Sequence, residues 1–336
     1  MSQLLGFALL SAFITAILIV PFIDFLYKIK LRRQHQKTVD IFNKPTPLFD
    51  KFNGWKIGTP FGGGLLIIVV VSALTLWGYG MFNIPINAWE LFVILFAFIS
   101  FGILGLYDDL KKLTNGNKIA FFGLKFRYKF LIQWILAFII ATVLYFKLGY
   151  TFVFIRGVGL ADIGFLFIPF AAFVIVSFVN AFNIADGLDG LASGLLLICL
   201  GAFLAIASSQ VGGTLGIFIA ILMGSVASFL YFNIYKARIW LGDVGSMSLG
   251  ASLAVIGLLT GKTLAIAFIG GVFVLEVGSS LVQILGKKFL KRKILPVAPI
   301  HLYFLNKGWD EPKVVMRAWL MGFFFAILGL YLAFIR

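Results

Sequence analysis

The stretch from Asn180 to Gly190 holds the densest group of side chains that could do chemistry. It reads Asn-Ala-Phe-Asn-Ile-Ala-Asp-Gly-Leu-Asp-Gly, and long apolar runs flank it on both sides. A charged side chain at a bilayer centre costs about 2.5–3.5 kcal/mol on insertion scales, so such residues are rare there and usually functional. If the stretch is helical, Asp186 and Asp189 share a face with Asn183 and offer oxygen ligands to one polar ligand. The alternative interpretation is a membrane-edge loop rich in turn residues.

Two further acidic groups lie far away in the sequence. Asp108 and Asp109 end one apolar run, and Lys112 follows them, so a simple charge pair at a membrane edge is one interpretation. Adjacent helical residues point about 100° apart, so the two aspartates would have different roles if the helix continues. Asp243 follows a glycine at the start of another apolar run, where it could be a helix N-cap.

The acidic residues and the basic residues near them suggest phosphate chemistry with a divalent metal. Mg²⁺ is commonly bound through one or two carboxylates plus substrate phosphates, and lysines add point charges for phosphate oxygens. Candidate lysines are Lys56, Lys112 and Lys129, although each alone is more simply interpreted as a charge that sets membrane topology. One cysteine and two histidines are too few to predict a zinc site.

The composition predicts a polytopic membrane protein. Of 336 residues, 61% are hydrophobic and 12% are charged, whereas a soluble domain is about half apolar and a quarter charged. The net charge of +15 fits loop charges that set orientation better than nucleic-acid binding. Runs long enough to cross a bilayer lie at roughly 4–27, 60–80, 90–107, 130–148, 163–181, 190–209, 214–235, 245–260, 264–285 and 318–335.

The basic residues predict the orientation of these ten runs. Connections 28–59, 108–129, 236–246 and 286–317 carry eight, six, two and eight Lys or Arg residues. By the positive-inside rule these connections are cytoplasmic and both termini face outward, and the polar stretch 182–190 falls on the same cytoplasmic side. The run 245–260 is Gly/Ser-rich, which favours packing against other helices, and 149–162 could form a small hairpin. We therefore expect a single all-α domain over 1–336, a bundle of about ten transmembrane helices with its active site on the cytoplasmic face.

Several sequence pieces together resemble the polyprenyl-phosphate N-acetylhexosamine-1-phosphate transferases, and most of all their phospho-N-acetylmuramoyl-pentapeptide transferase branch. They occur in the family's order and cover nearly the whole chain. The matching pieces are Lys56–Gly64, Tyr107–Lys112, Asn180–Ala192, Leu241–Ser246, Gly270–Glu276 and Ala298–Trp319.

The resemblance implies a reaction in the bacterial cytoplasmic membrane that belongs to peptidoglycan synthesis. Undecaprenyl phosphate would attack UDP-N-acetylmuramoyl-pentapeptide, giving lipid I and UMP, with Mg²⁺ required. Asp243 and Asp186 would be metal ligands, and Asp108 would be the base or would position the lipid phosphate, with Asp109 beside it. His301 would contact the sugar nucleotide, and two such bundles would pair as a homodimer. The implied substrate-binding residues are Lys56, Lys112, Lys129, Asn180, Asn183, Asp186, Asp189 and Trp240.

Three alternatives stay open from the sequence. The branch typically has three consecutive histidines where this chain has His301-Leu302-Tyr303, so UDP-N-acetylglucosamine is a second candidate donor. A two-step reaction through an aspartyl-phosphate is chemically admissible. A transporter without chemistry is the third alternative, and Glu276, deep in an apolar run, is its main support.

Overall fold

The structure is a computed structural model that describes residues 2–33, 46, 50, 52, 54–82, 87–114, 124, 126–155, 159–209 and 213–335. Two single 3₁₀ turns, at Gly54–Lys56 and Gly164–Leu166, and one β-hairpin accompany the α-helices. The helices of the described residues are α1 (Ser2–Lys28), α2 (Gly63–Phe82), α3 (Ala88–Thr114), α4 (Phe126–Phe146), α5 (Phe167–Ala185), α6 (Leu191–Ser209), α7 (Gly213–Asn233), α8 (Gly242–Leu259), α9 (Thr263–Ile269), α10 (Gly271–Phe289), α11 (Ile300–Asn306) and α12 (Glu311–Phe334).

The apolar runs form membrane-length helices, as predicted. Within the described ranges, nine helices are long and apolar enough to cross a bilayer, and α9 with α10 brings the number to ten if this bent pair is one span. The all-α prediction of about ten spans is therefore confirmed. The run predicted over 264–285 is not one straight helix, because α9 and α10 meet at an angle of 79°. Gly270 and Gly271 lie at that bend against Phe178 and Phe325, where a side-chain Cβ would be 2.6 and 2.7 Å from the rings.

Helix α8 lies in the middle of the bundle and brings Asp243 to the other aspartates. Its residues are buried almost throughout, which confirms that the Gly/Ser-rich run packs against protein rather than lipid. A Cβ on Gly64 of α2 would be 2.1 Å from the Cα of Gly245, and one on Gly105 of α3 would be 2.1 Å from the Asp243 carbonyl oxygen. Small residues let helix backbones approach closely in membranes. The glycines therefore bring the start of α8 against the end of α3.

The predicted hairpin is confirmed at the opposite end of α5 from Asp186. Strands β1 (Phe152–Ile155) and β2 (Gly159–Asp162) pair antiparallel, with Phe152 opposite Asp162. The hairpin precedes α5, whereas Asp186 follows it directly. The polar stretch predicted to do chemistry and the hairpin therefore lie on opposite faces of the bundle.

Connecting segments converge at the Asp186 end of the bundle. The Trp240 amide donates to the Pro60 carbonyl at 3.0 Å, and the Gly63 amide donates to the Trp240 carbonyl at 2.9 Å. Gln283 of α10 fixes the turn before α11, because its amide oxygen accepts from the Ile294 and Leu295 amides. These backbone and side-chain contacts place distant parts of the chain around one space.

Candidate active site

Two lysines and three aspartates meet where α3, α4 and α8 come together. We call Asp108, Asp109, Lys112, Lys129 and Asp243 the open cluster. The Lys129 Nζ lies 2.7 Å from an Asp243 carboxylate oxygen and 3.2 Å from Asp108. The Lys112 Nζ lies 2.9 Å from Asp243, 3.3 Å from Asp108 and 3.4 Å from Asp109. The two lysines therefore hold all three carboxylates of the open cluster together.

The aspartates of the open cluster have distinct partners. Helix α3 continues to Thr114, so the adjacent carboxylates point in different directions: Asp108 accepts from the Leu124 amide and Asp109 from the Val244 amide. Asp243 is inside the first turn of α8 and makes no cap, so the N-cap interpretation is wrong. Its second oxygen accepts from Asn183 Nδ2 at 3.1 Å. Asn183 thus connects the end of α5 to the open cluster.

A cavity of about 400 Å³ adjoins the open cluster. Asp186 extends into it from the residue after α5, and its carboxylate makes no hydrogen bond or ion pair with the described part of the chain. Burial and the nearby Asp243 carboxylate raise the pKa of Asp186 well above its usual range, with Lys56 opposing them. The cavity therefore contains a partly buried carboxylate among other carboxylates, an arrangement that favours a bound cation.

A second group of charges is buried beside this cavity, and of its three residues Asp189 lines the cavity wall. We call Lys56, Asp189 and Glu311 the closed cluster. The Lys56 Nζ lies 2.6 Å from Glu311 and 3.0 Å from Asp189, and the exposed fractions of the three side chains are 2%, 8% and 1%. Asp189 also accepts from the Trp240 Nε1 at 3.1 Å and the Ala237 amide at 2.9 Å. Lys56 is therefore occupied by protein carboxylates.

The turn after α5 separates Asp186 from Asp189. Helix α5 ends at Ala185, so these two aspartates do not share a helical face. Helix α12 holds the turn through two side chains: Glu311 accepts from the Asp189 amide at 2.7 Å, and Trp319 Nε1 donates to the Gly190 carbonyl at 3.2 Å. Asp186 faces the cavity while Asp189 is fixed in the closed cluster.

His301 enters the cavity from α11 and is paired with Glu276 of α10. The two side chains are 3% and 2% exposed, and His301 Nδ1 lies 2.9 Å from a Glu276 oxygen. From the sequence, Glu276 ends one of the pieces that resemble the family and is also the main support for a transporter, but it has no assigned role in the site. A charged residue inside an apolar run was a usable signal, but its partner lies 25 residues away across an irregular connection.

The predicted site residues fall into two groups. One group lines the cavity. The other group is not part of its lining: Asp108 and Lys129, which contact lining residues of the open cluster, Lys56 in the closed cluster, and Asn180, whose amide donates to Gln133 at 2.8 Å. Arg32, Arg33 and Phe61 also line the cavity and were not singled out from the sequence. The predicted residues that line it are Asp109, Lys112, Asn183, Asp186, Asp189, Trp240, Asp243 and His301.

Comparison with known proteins decides the family. Residues 91–261 match the model of glycosyl transferase family 4. The chain is 36% identical to the phospho-N-acetylmuramoyl-pentapeptide-transferase of Borrelia hermsii, over 97% of this chain and 93% of that protein. It is 32% identical to the transferase of the same name from Geobacillus thermodenitrificans, over 98% of both chains. A Rickettsia africae transferase of that name is 37% identical over 82% of this chain and 80% of its own.

The chain belongs to the phospho-N-acetylmuramoyl-pentapeptide-transferase family. In this family member the cavity, the open cluster and His301 are formed by residues from six helices, from the turn after α5 and from other connecting segments. The matched region 91–261 contains the whole open cluster and Asp186. Lys56, Glu276, His301 and Glu311 lie outside it, in the part that the full-length relatives also cover.

The residues of this phospho-N-acetylmuramoyl-pentapeptide-transferase family member fit a magnesium ion whose remaining coordination positions are filled by a substrate. Within the described ranges, no three His, Cys, Asp or Glu side chains converge as a metal site by themselves. Asp186 and Asp243 do both line the cavity, and the Asp186 carboxylate has no hydrogen bond or ion pair with the residues that the structure describes. Because Mg²⁺ takes one or two carboxylates and fills its other positions with water and phosphate oxygens, two carboxylates suffice.

Proposed function

We propose that the protein transfers phospho-N-acetylmuramoyl-pentapeptide from UDP-N-acetylmuramoyl-pentapeptide to undecaprenyl phosphate, releasing UMP. The observation that carries this proposal is the convergence of the open cluster and Asp186 on one cavity. Phosphoryl transfer depends mainly on positioning and on neutralising charge, and this cavity offers both lysines and carboxylates. Full-length similarity to transferases of this name supports the choice of substrates.

We further propose that the cavity opens to the cytoplasm and that both termini face outward. The connections that approach the cavity contain most of the Lys and Arg residues of the chain. Undecaprenyl phosphate would then remain in the bilayer and present its phosphate at the inner interface. We propose that residues 1–336 act as one integral-membrane domain, and pairing of two copies stays a prediction.

In the proposed transfer, lysines of the open cluster neutralise phosphate charge and Asp108 takes a proton. An oxygen of undecaprenyl phosphate forms a bond to the sugar-linked phosphorus, and the bond from that phosphorus to UMP breaks. Lys112 and Lys129 neutralise charge on the phosphates. Asp108 shares Lys129 with Asp243, so a lipid phosphate held at Lys129 lies beside a carboxylate that can take its proton.

A magnesium ion is part of this proposal. Asp186 and Asp243 would hold it, with Asn183 keeping Asp243 in place through its 3.1 Å hydrogen bond. When bound, Mg²⁺ neutralises the diphosphate and assists departure of the leaving group. Asp189 is fixed to Lys56 and Trp240 and contributes to the shape of the turn next to the metal ligand.

UDP-N-acetylglucosamine is the second candidate donor, and one observation favours it. The two residues after His301 are not histidines. Leu302 is apolar and lines the cavity, and the Tyr303 ring centre lies 4.7 Å from Lys307 Nζ. His301 is thus the one imidazole among the described residues that lines the cavity. A transporter is disfavoured because the carboxylates gather at one end of the bundle rather than at its midplane.

The test offers the purified protein each nucleotide separately, with undecaprenyl phosphate and with or without Mg²⁺, and measures UMP. We expect UMP only from UDP-N-acetylmuramoyl-pentapeptide, and only when both the lipid and Mg²⁺ are present. Turnover of UDP-N-acetylglucosamine alone would replace the donor but keep the reaction class. Absence of UMP with both nucleotides would refute the transferase proposal.

A further inference from the structure

Glu276 and His301 form a buried pair that the proposed reaction has not yet used. Glu276 lies on α10, in the part of the bent pair that follows the 79° bend, and it is 2% exposed. His301 is in the first turn of α11 and is 3% exposed. Their side chains meet through His301 Nδ1 and a Glu276 oxygen at 2.9 Å. A carboxylate accepts hydrogen bonds, so this contact places a proton on Nδ1.

The other ring nitrogen of His301 lies beside Gly187, and both residues line the cavity. Nε2 makes no hydrogen bond to the described residues, although the side chain is almost completely buried. The ring edge lies against the backbone at Gly187, where a Cβ would be 2.8 Å from Nε2. Gly187 directly follows Asp186, which extends into the same cavity. A buried polar atom without a protein partner needs a partner from elsewhere, and the cavity is where one can bind.

Helix α10 fixes the position of His301 by a second route. Ser279, one turn after Glu276, accepts a hydrogen bond from the Ile300 amide at 3.1 Å and donates to the Glu276 carbonyl at 2.9 Å. The backbone immediately before His301 and its side chain are therefore both held by one turn of α10. Such an arrangement fixes the plane of the ring as well as its position.

We propose that Glu276 is a positioning residue, which holds the His301 ring so that Nε2 contacts the sugar-nucleotide donor in the cavity. This inference rests on the proposed function and specifies how His301 serves it. Glu276 does not touch the donor. It acts through His301, in the way that outer carboxylates orient metal-binding and catalytic histidines.

A purely structural pair would behave differently. Removing one partner of a buried, hydrogen-bonded carboxylate destabilises the fold wherever it lies, and that loss affects both substrates alike. A positioning role predicts a specific loss in donor binding. Because the contact is present before and during reaction, its removal raises the donor KM more than it lowers kcat.

The experiment measures UMP release against donor concentration at saturating undecaprenyl phosphate, and against lipid concentration at saturating donor. We expect Glu276→Ala and His301→Ala each to raise the donor KM about tenfold, with the lipid KM unchanged. The double variant should be no worse than His301→Ala, because both changes remove one contact. Glu276→Gln should restore the donor KM to within about threefold, since its amide oxygen can still accept from Nδ1.

Gln283→Ala is the matched control. Gln283 is on the same helix, is 7% exposed and holds the Ile294 and Leu295 backbone, without touching His301. This variant should melt at a lower temperature and keep the wild-type ratio of donor KM to lipid KM. The inference is overturned if Glu276→Ala leaves the donor KM unchanged, if it raises both KM values equally, or if its effect adds to that of His301→Ala.

Nitrogen NMR keeps the inference testable if Glu276→Ala does not fold. The chain has two histidines, so ¹⁵N-histidine labelling gives signals from two imidazole rings, each with two nitrogens, and His35→Ala assigns them. Wild-type protein should show His301 protonated at Nδ1, and protonation at Nε2 alone would overturn the inference. A wild-type protein that releases no UMP would refute the proposed function instead, and the NMR result does not depend on turnover.

Discussion

The open cluster and the closed cluster are made of the same two kinds of charge and differ in exposure. Each has one more carboxylate than it has lysines. In the open cluster, Lys112, Lys129 and Asp243 are 18%, 17% and 16% exposed, and Asp108 and Asp109 are 4% and 3% exposed. In the closed cluster, Lys56, Asp189 and Glu311 are 2%, 1% and 8% exposed. The difference therefore lies mainly in the lysines and in Asp243. Composition and formal charge therefore do not separate the group proposed to do the chemistry from the structural one, whereas the exposure of the lysines does.

The two clusters also differ in how completely their oxygens are satisfied. The Asp189 carboxylate pairs with Lys56 and accepts hydrogen bonds from Trp240 Nε1 and the Ala237 amide. The Glu311 carboxylate pairs with Lys56 and accepts from the Asp189 amide. A phosphate could reach this lysine only by displacing buried partners, at the cost of leaving carboxylates unpaired. At the open cluster a phosphate can compete for lysines that are 17–18% exposed. A lysine near the cavity is therefore expected to bind phosphate only if its protein partners leave its ammonium group accessible to the substrate.

The largest expected effect is on activity, at the open cluster. Asp243→Asn removes the carboxylate that both lysines contact and that is proposed to bind Mg²⁺, so UMP release should fall about a thousandfold. Asn keeps the shape of the side chain, and the melting temperature in detergent should stay within a few degrees of the wild type. Substantial turnover in folded Asp243→Asn protein would show that the open cluster is not the working group.

The next effect is on stability, at the closed cluster. Lys56→Met leaves the carboxylates of Asp189 and Glu311 buried together without their lysine, which should cost about 3–5 kcal/mol of folding stability. Thermal melting in detergent micelles measures this loss. The matched variant is Lys56→Met with Glu311→Gln, which restores the original net charge of the cluster and should recover most of the melting temperature. Equal destabilisation by the single and double variants would contradict a charge-balanced cluster.

A smaller and more specific effect is expected at Asp186. Its carboxylate has no protein partner among the described residues, so Asp186→Asn should not lower the melting temperature. Loss of one of two proposed ligands should raise the Mg²⁺ concentration that gives half-maximal activity about tenfold or more. The measurement is a magnesium titration of UMP release. An unchanged titration would remove Asp186 from the metal site and leave Asp243 as the remaining proposed ligand.

The smallest effect is expected at Trp240. Trp240→Phe removes the Nε1 hydrogen bond to Asp189 and keeps an aromatic ring near Arg33 and Lys56, which lie 5.3 and 5.6 Å from the ring centre. One such bond to a charged group is worth about 1.5–3 kcal/mol, so a drop in melting temperature should follow. Activity per folded molecule should change by less than about threefold. A large loss of activity would show that the indole nitrogen acts beyond the closed cluster.

The spans and the acidic residues of the site could be predicted from sequence because both are local patterns. Apolar runs of membrane length stand out along the chain, and carboxylates beside them are costly enough to be informative. The Gly/Ser-rich run of α8 and the hairpin at 149–162 were predictable for the same reason. The 79° bend was not, since it depends on Gly270 and Gly271 lying against Phe178 and Phe325.

The partners of the site residues could not be predicted. Lys56 and Glu311 are 255 residues apart and meet at 2.6 Å, and no local pattern encodes that contact. From sequence, Lys56 and Lys112 were equivalent candidates for phosphate. Their difference comes from tertiary burial: one lysine is enclosed by α12 and the turn after α5, and the other faces the cavity. The sequence likewise shows Glu276 as a charged residue inside an apolar run, and only the structure shows that His301 is its partner.

The most direct test of the account is the rate of UMP release per folded molecule in Asp243→Asn and in Lys56→Met with Glu311→Gln. If the open cluster does the chemistry and the closed cluster holds the turn, the first variant should lose about a thousandfold and the second less than about tenfold. The opposite order, with the closed-cluster variant inactive while folded and Asp243→Asn active, would contradict the account.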